Sequence, residues 1–262
     1  MSSVKYWKSN GLNGLELCLA HHAGFSYGRH VHLDYHLGLV ESGAQKFIHR
    51  GNSAPLVPGQ LSLLNPDVTH DGDCFDETGF RVRVFSLSPE LVSGLADELE
   101  QPLPFFAQPL THQPALYRRA LTLHCQLEQA NTNPRFAESQ LLALLADCLP
   151  LQDTRPLAQP LLTRVRDRLL DNLDQPHSLA ELAAELDLSR FQFLRQFKAG
   201  LDMTPHAYLK RLRLEDAKKR LAAGHPVLDT ALAVGFFDQS HFHRAFVHAY
   251  HITPARFRAQ MQ

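Results

Sequence analysis

Laid over itself at an offset of 49 residues, the last third of the chain repeats. Phe193 falls on Phe242, Arg195 on Arg244, Phe197 on Phe246, Thr204 on Thr253, Pro205 on Pro254, and Tyr208 on Phe257. Shared Phe positions could arise in any helical repeat. Paired arginines and paired Thr-Pro caps at one offset mark a duplicated structural unit. Each copy reads as a short helix (SLAELAAELD, then VLDTALAVG), a tight turn, and a second helix (SRFQFLRQFK, then DQSHFHRAFV). This is the helix-turn-helix pattern.

Start and stop signals support the same elements. Ser178 with Glu181 forms a capping box, Ser189 and Asp238 are N-caps of the second helices, Thr204-Pro205 opens the helix between the copies, and Gly224 ends it. Phe193/Phe197 and Phe242/Phe246 recur four apart, which turns one face of each second helix inward. The opposite face of the helices at about 189–198 and 238–247 then presents Arg190, Phe191, Leu194 and Arg195, and Gln239, Ser240, His243 and Arg244. Arg can pair bidentately with guanine, Gln with adenine, and apolar groups can meet thymine methyls, so these eight are the candidate base readers. The connecting helix, about 28 Å long at 1.5 Å per residue, approaches the roughly 34 Å between successive major grooves. Its Lys210, Arg211, Arg213, Lys218, Lys219 and Arg220 are expected to divide between phosphate contacts and solubility.

A chain of 262 residues suits two domains. Up to about Leu87, the segments HLGLVESG, AQKFIHRGN, LVPGQLSLLNPD and FRVRVFSLSP show strand-and-turn punctuation. From Pro89 to Leu149 the period turns helical, in ALYRRALTLHCQLEQA and RFAESQLLALLADCL. PLQDTRPLAQP then reads as a linker. The expected division is 1–150, a linker at 151–160, and an all-α domain at 161–262. Net charge is −1, but the chain before Leu157 holds 11 basic and 16 acidic residues and the rest 15 and 11. An excess of four positive charges after Leu157 is too small to decide for nucleic acid, so the motifs carry that reading. Cys18, Cys74, Cys125 and Cys148 stand singly and are expected to be reduced. Neither a membrane-length apolar run nor a secretory leader is legible, and a cytoplasmic protein is expected.

The segments SLAELAAELDLSRFQFLRQFK, TPHAYLKRLRLEDAKKRL, VLDTALAVGFFDQSHFHRAF and ITPARFR resemble the DNA-binding domain of AraC/XylS-type bacterial regulators over about 100 residues, from Leu161 to Arg258. Asp202 and His251 stand where that family usually carries glycine. RHVHLDYHLGLVESG and LVPGQLSLLNPDVTHDG resemble the cupin-like effector domain that many members carry ahead of the linker. The resemblance implies a two-domain fold: a cupin-like all-β barrel followed by helices, then two helix-turn-helix units. It also implies a transcription regulator, usually an activator, with double-stranded DNA, a small-molecule effector and RNA polymerase as partners.

His30, His32, His36 and His70 occupy positions resembling the metal-binding histidines of cupin enzymes, with His36 where those enzymes place a glutamate. They are expected to line an effector pocket; no metal, cofactor or catalytic residue is expected. The competing enzyme reading requires stoichiometric metal on these four side chains. The stripe between Pro114 and Leu149, with Leu121, Leu142 and Leu145, could pack on the barrel or form a homodimer.

Overall fold

The computed structural model describes residues 3–9, 12–24, 26–49, 51–106, 108–129, 133–148, 160–175 and 177–262. Contacts divide the chain into two compact units: Met1–Gly28 with His32–Arg155, and Pro156–Gln262 with Arg29–Val31. The linker expected at 151–160 lies outside the described residues apart from Pro160, which opens a helix.

The β-rich half contains β1 (Ser3–Lys8), β2 (Leu15–His22), β3 (Ser26–His30), β4 (Tyr35–Gly43), β5 (Gln45–His49), β6 (Asn52–Leu56), β7 (Leu61–Leu64), β8 (His70–Cys74), β9 (Phe80–Leu87) and β10 (Leu110–Thr111). Its helices are α1 (Pro89–Glu98), α2 (Pro114–Leu127) and α3 (Pro134–Cys148). One sheet has the order β1-β2-β9-β4-β7-β10 and the other β3-β8-β5-β6.

Alternation of side chains along a strand explains how this sheet pair is buried. Tyr35, Leu37 and Leu39 of β4, with Phe85 and Leu87 of β9, join the helical residues Val92, Leu95, Leu123, Leu141 and Leu144 in one core. Val40 and Val82, on the same two strands, join Phe47 of β5 and Leu56 of β6 in a second core between the sheets. A β-bulge between Val40 and Ser42 shifts the register of β4 against β9. The larger sheet is therefore apolar on both faces. β2 accordingly reads as the dense run LELCLA rather than as a clean alternation, and the sequence did not flag it as a strand.

The choice between an intramolecular and a dimeric role for the helices has a partial answer. Leu121, Leu142 and Leu145 pack against the chain's own core. Polar contacts fix α2 there as well: Tyr117 Oη donates to Val40 O at 2.7 Å, and Trp7 Nε1 donates to Leu127 O at 2.9 Å. Arg83, 4 % exposed, reaches Glu128 at 2.9 Å and Glu41 at 3.2 Å. Fully buried His124 accepts from Arg83 Nη1 through Nδ1 at 3.1 Å and donates from Nε2 to Val84 O at 3.2 Å, which defines a neutral imidazole. Burial first, and the Arg83 charge second, push its pKa down to about 4.

The second half is helical: α4 (Pro160–Leu170), α5 (Leu179–Ala184), α6 (Arg190–Leu201), α7 (Pro205–Ala222), α8 (Val227–Ala233), α9 (Gln239–Tyr250) and α10 (Pro254–Met261). Caps sit where their local signals lie. Ser178 and Glu181 form the expected capping box, Ser189 and Gln192 form a second, and Asp238, Thr204 and Thr253 accept from the third residue beyond them. No helix among the described residues is long and apolar enough to cross a membrane.

Asp202 and His251 both end their helices in the left-handed conformation, with φ of 50° and 57°, and each donates its backbone N–H one helical turn back. That geometry accounts for the family's glycine at these places. Asp202→Gly is expected to raise the stability of this unit by about 0.5–1 kcal/mol and Asp202→Val to lower it by about 1–2 kcal/mol. Urea unfolding midpoints check both, and equal midpoints would contradict the strain argument.

Candidate nucleic-acid interface and effector site

Two outward-facing helix surfaces emerge from one packing rule. Phe193 and Phe197 of α6, and Phe242 and Phe246 of α9, are fully buried. Their rings meet tilted or edge-on in two chains, one per copy: Phe193 with Phe197 at 5.7 Å and Phe197 with Tyr208 at 5.6 Å, then Phe242 with Phe246 at 5.5 Å and Phe246 with Phe257 at 5.7 Å. Such offset and edge contacts lock the rotation of each helix about its axis. Arg190, Phe191 and Arg195 are consequently exposed on α6, with Leu194 half-buried beside them. Gln239, Ser240, His243 and Arg244 are all exposed on α9.

The connecting helix α7 has 18 residues, about 27 Å at 1.5 Å per residue. Its basic residues divide differently from the sequence expectation. Arg211 is buried, pairs with Glu215 at 2.9 Å, and lies 5.0 Å from the Tyr250 ring. Lys218, also buried, lies 5.4 Å from the same ring and 5.8 Å from that of Phe257. Arg213 donates to three carbonyls, those of Leu173, Gly235 and Gln175. These three cations therefore hold the helical unit together, contrary to a phosphate or solubility role. A helix that packs on several neighbours must bury some of its long side chains, and guanidinium and ammonium groups tolerate that where carboxylates, carbonyls or rings meet them.

In the β-rich unit His32, His36 and His70 come together. The His32 ring stacks on His36 at 3.6 Å and lies 5.1 Å from that of His70. His36 Nε2 meets Ser86 Oγ at 3.0 Å, and His70 Nδ1 meets Val68 O at 3.0 Å. Imidazoles so arranged can bind polar groups of a ligand or coordinate a transition metal. His30, the last residue of β3, belongs to the same cluster: His30, His32 and His70 each offer a ligand nitrogen within 4.8 Å of the others, a spacing that could hold a metal ion. His36 also helps line an apolar pocket of about 450 Å³, counted with its open mouth, together with Tyr35, Leu63, Val92, Phe106 and Leu144. Cys148 borders it too, and burial raises its thiol pKa to about 12, so it acts as an apolar wall rather than a nucleophile.

The sequence reading passed over Phe237. It is 92 % exposed and lies directly before the cap of α9. The signal was present in the pair Phe236-Phe237: adjacent residues at a helix entry cannot both enter the core, and Phe236 does so.

Residues 182–260 match the family described as a helix-turn-helix domain. Residues 12–145, half of the chain, match that described as AraC-like ligand binding domain. The chain belongs to the AraC family of transcription regulators. Relatives span most of this AraC-family chain. An HTH-type transcriptional activator, RhaS of Yersinia pestis, is 27 % identical over 253 residues, covering 90 % of each chain. The probable transcriptional regulator LumQ of Photobacterium leiognathi is 28 % identical over 239 residues, covering 89 % of this chain and 92 % of LumQ. Crystal structures of ToxT from Vibrio cholerae share the two-part fold, one with a TM-score of 0.61 at 12 % identity, covering 100 % of this chain and 98 % of ToxT. The AraC-family chain is thus a transcription regulator with a helix-turn-helix DNA-binding domain and a ligand-binding domain.

Proposed function

We propose that this regulator is an effector-responsive activator that inserts α6 and α9 into successive major grooves of one DNA duplex. The observation that carries the reading is the paired geometry of these helices, in which buried Phe residues four apart leave Arg190, Phe191, Leu194, Arg195, Gln239, Ser240, His243 and Arg244 on the outward sides. A strut of about 27 Å falls short of the roughly 34 Å groove repeat, so the duplex bends toward the protein, as flexible pyrimidine–purine steps permit. The protein works in the cytoplasm and recruits RNA polymerase.

Its effector binds in the β-rich unit, where His32, His36 and His70 supply polar partners beside the apolar pocket. A ToxT structure that contains an unsaturated fatty acid supports a small-molecule effector for a chain of this fold. That structure has a TM-score of 0.64 and 12 % identity, covering 99 % of this chain and 95 % of ToxT.

Selection of DNA from a random pool by the full chain, followed by binding titrations on the selected site, tests the reading. Arg195→Ala and Arg244→Ala should each weaken specific binding by about 1–3 kcal/mol while leaving the unfolding midpoint in place. Equal binding by wild type and both variants would overturn these two assignments.

A further inference from the structure

Among the described residues, the two large apolar side chains most exposed to solvent both belong to the helix-turn-helix units: Phe237 at 92 % and Phe191 at 73 %. Phe191 lies in the first turn of α6, and Phe237 immediately precedes the cap of α9. They are not equivalents in the repeat. At the 49-residue offset Phe191 falls on Ser240, and Phe237 falls on Leu188, which is half-buried.

Phe237 is held outward on a pinned turn. Gly235 adopts φ +80° and donates to Leu232 O at 3.0 Å, while its carbonyl accepts from Arg213 Nη1 at 2.9 Å. A Cβ at Gly235 would come within 2.8 Å of Arg213 Nη2 and 2.9 Å of the Asp174 backbone, so this turn tolerates little rearrangement. Phe236 is buried, edge-on to Phe242 at 5.3 Å and to His241 at 5.2 Å. On the other side, Asp238 accepts from the His241 N–H at 2.6 Å. With both neighbours fixed, the Phe237 ring cannot turn into the core without undoing the cap or the Phe236 contact. A large ring left in water beside the first turn of a recognition helix is preorganised for a partner, because its ordering cost is met in the free protein.

We propose that Phe237 contacts DNA and sets base preference, packing on a thymine methyl at the edge of the α9 half-site. The choice of DNA over a protein partner follows from its place: the next two residues, Gln239 and Ser240 beyond the cap, occupy the helix start that faces base edges when such a helix enters the groove. Thymine C5-methyl is the apolar group that the major groove offers there. Leu228 and Leu232, exposed one turn apart on α8, make a protein surface the competing occupant. This inference rests on the DNA-binding reading above.

The test uses the full chain and its selected DNA site, with each thymine of the α9 half-site replaced in turn by deoxyuridine, which removes the methyl alone. Wild type should lose about fourfold in affinity at one position. Phe237→Ala should bind the thymine site about tenfold more weakly and be indifferent to deoxyuridine at that position, with an unchanged unfolding midpoint. Phe237→Leu should restore part of the methyl discrimination. If Phe237→Ala binds every site as wild type does, the inference is overturned. The same holds if it binds normally but fails to activate transcription with RNA polymerase, which would place a protein on the ring. If wild type selects no sequence at all, the failure belongs to the DNA-binding reading itself.

Discussion

Phe246→Ala should cost the helical unit about 3–5 kcal/mol and with it most specific DNA binding. The side chain is fully buried, and its ring lies 4.6 Å from Tyr250, 5.5 Å from Phe242 and 5.7 Å from Phe257. Truncation removes contacts to three rings at once: Phe242 and Tyr250 are fixed on the same helix α9 and Phe257 on α10, so they cannot readily collapse into the space. Because domains are stable by only about 5–15 kcal/mol, such a loss leaves a large unfolded fraction under mild denaturant. Phe191→Ala is the control: exposed on the same type of helix, it should alter stability by less than about 0.5 kcal/mol while weakening DNA binding. Urea titrations followed by helical circular dichroism, beside binding titrations, separate the two effects. A loss below about 1.5 kcal/mol for Phe246→Ala would contradict the packing account.

Acid should destabilise the β-rich unit well before its carboxylates titrate, through His124. Burial first, and Arg83 second, hold its folded pKa at about 4 against an ordinary value of 6.5. The unfolded chain therefore binds a proton near pH 6.5 that the folded chain refuses until about pH 4. Stability is complete above pH 6.5, falls as pH drops from 6.5 to 4, and has lost about 3 kcal/mol from this group at the lower end. Trp7 provides the probe: it is the sole tryptophan in the sequence, and its ring meets His124 edge-on at 5.2 Å. Unfolding monitored by its fluorescence should show this slope. His124→Gln, which cannot ionise, should flatten it at a pH-independent packing cost. A wild-type profile level across that window would refute a buried neutral imidazole.

The elements that sequence pattern located well are those whose signals are local. The Ser178–Glu181 capping box, the Thr204 and Asp238 caps, and the Phe residues four apart each lie within one or two turns of what they specify. Duplication doubled these signals, which is why α6, α9 and their exposed faces were legible. β2 was harder to read, because a strand buried on both faces loses the period-2 alternation that marks a half-exposed one. The histidines were recognisable as a set, but what gathers them was not. His30, His32 and His36 lie close together in sequence, and only the fold brings His70 to them.

The sequence by itself determined the duplicated helix-turn-helix unit, its caps and the phase of its buried stripe, because each follows from interactions over a few residues. Tertiary structure decided the roles of the long and large side chains. Arg211 and Lys218 became internal struts against Tyr250, and Arg213 became a clamp on three carbonyls. Of two adjacent phenylalanines, Phe236 was taken into the core and Phe237 left outside it. Charge and hydropathy state only what a side chain prefers on average. Whether a given one is buried depends on which neighbours the fold brings within about 4–6 Å, and that is set by contacts between residues distant in the chain.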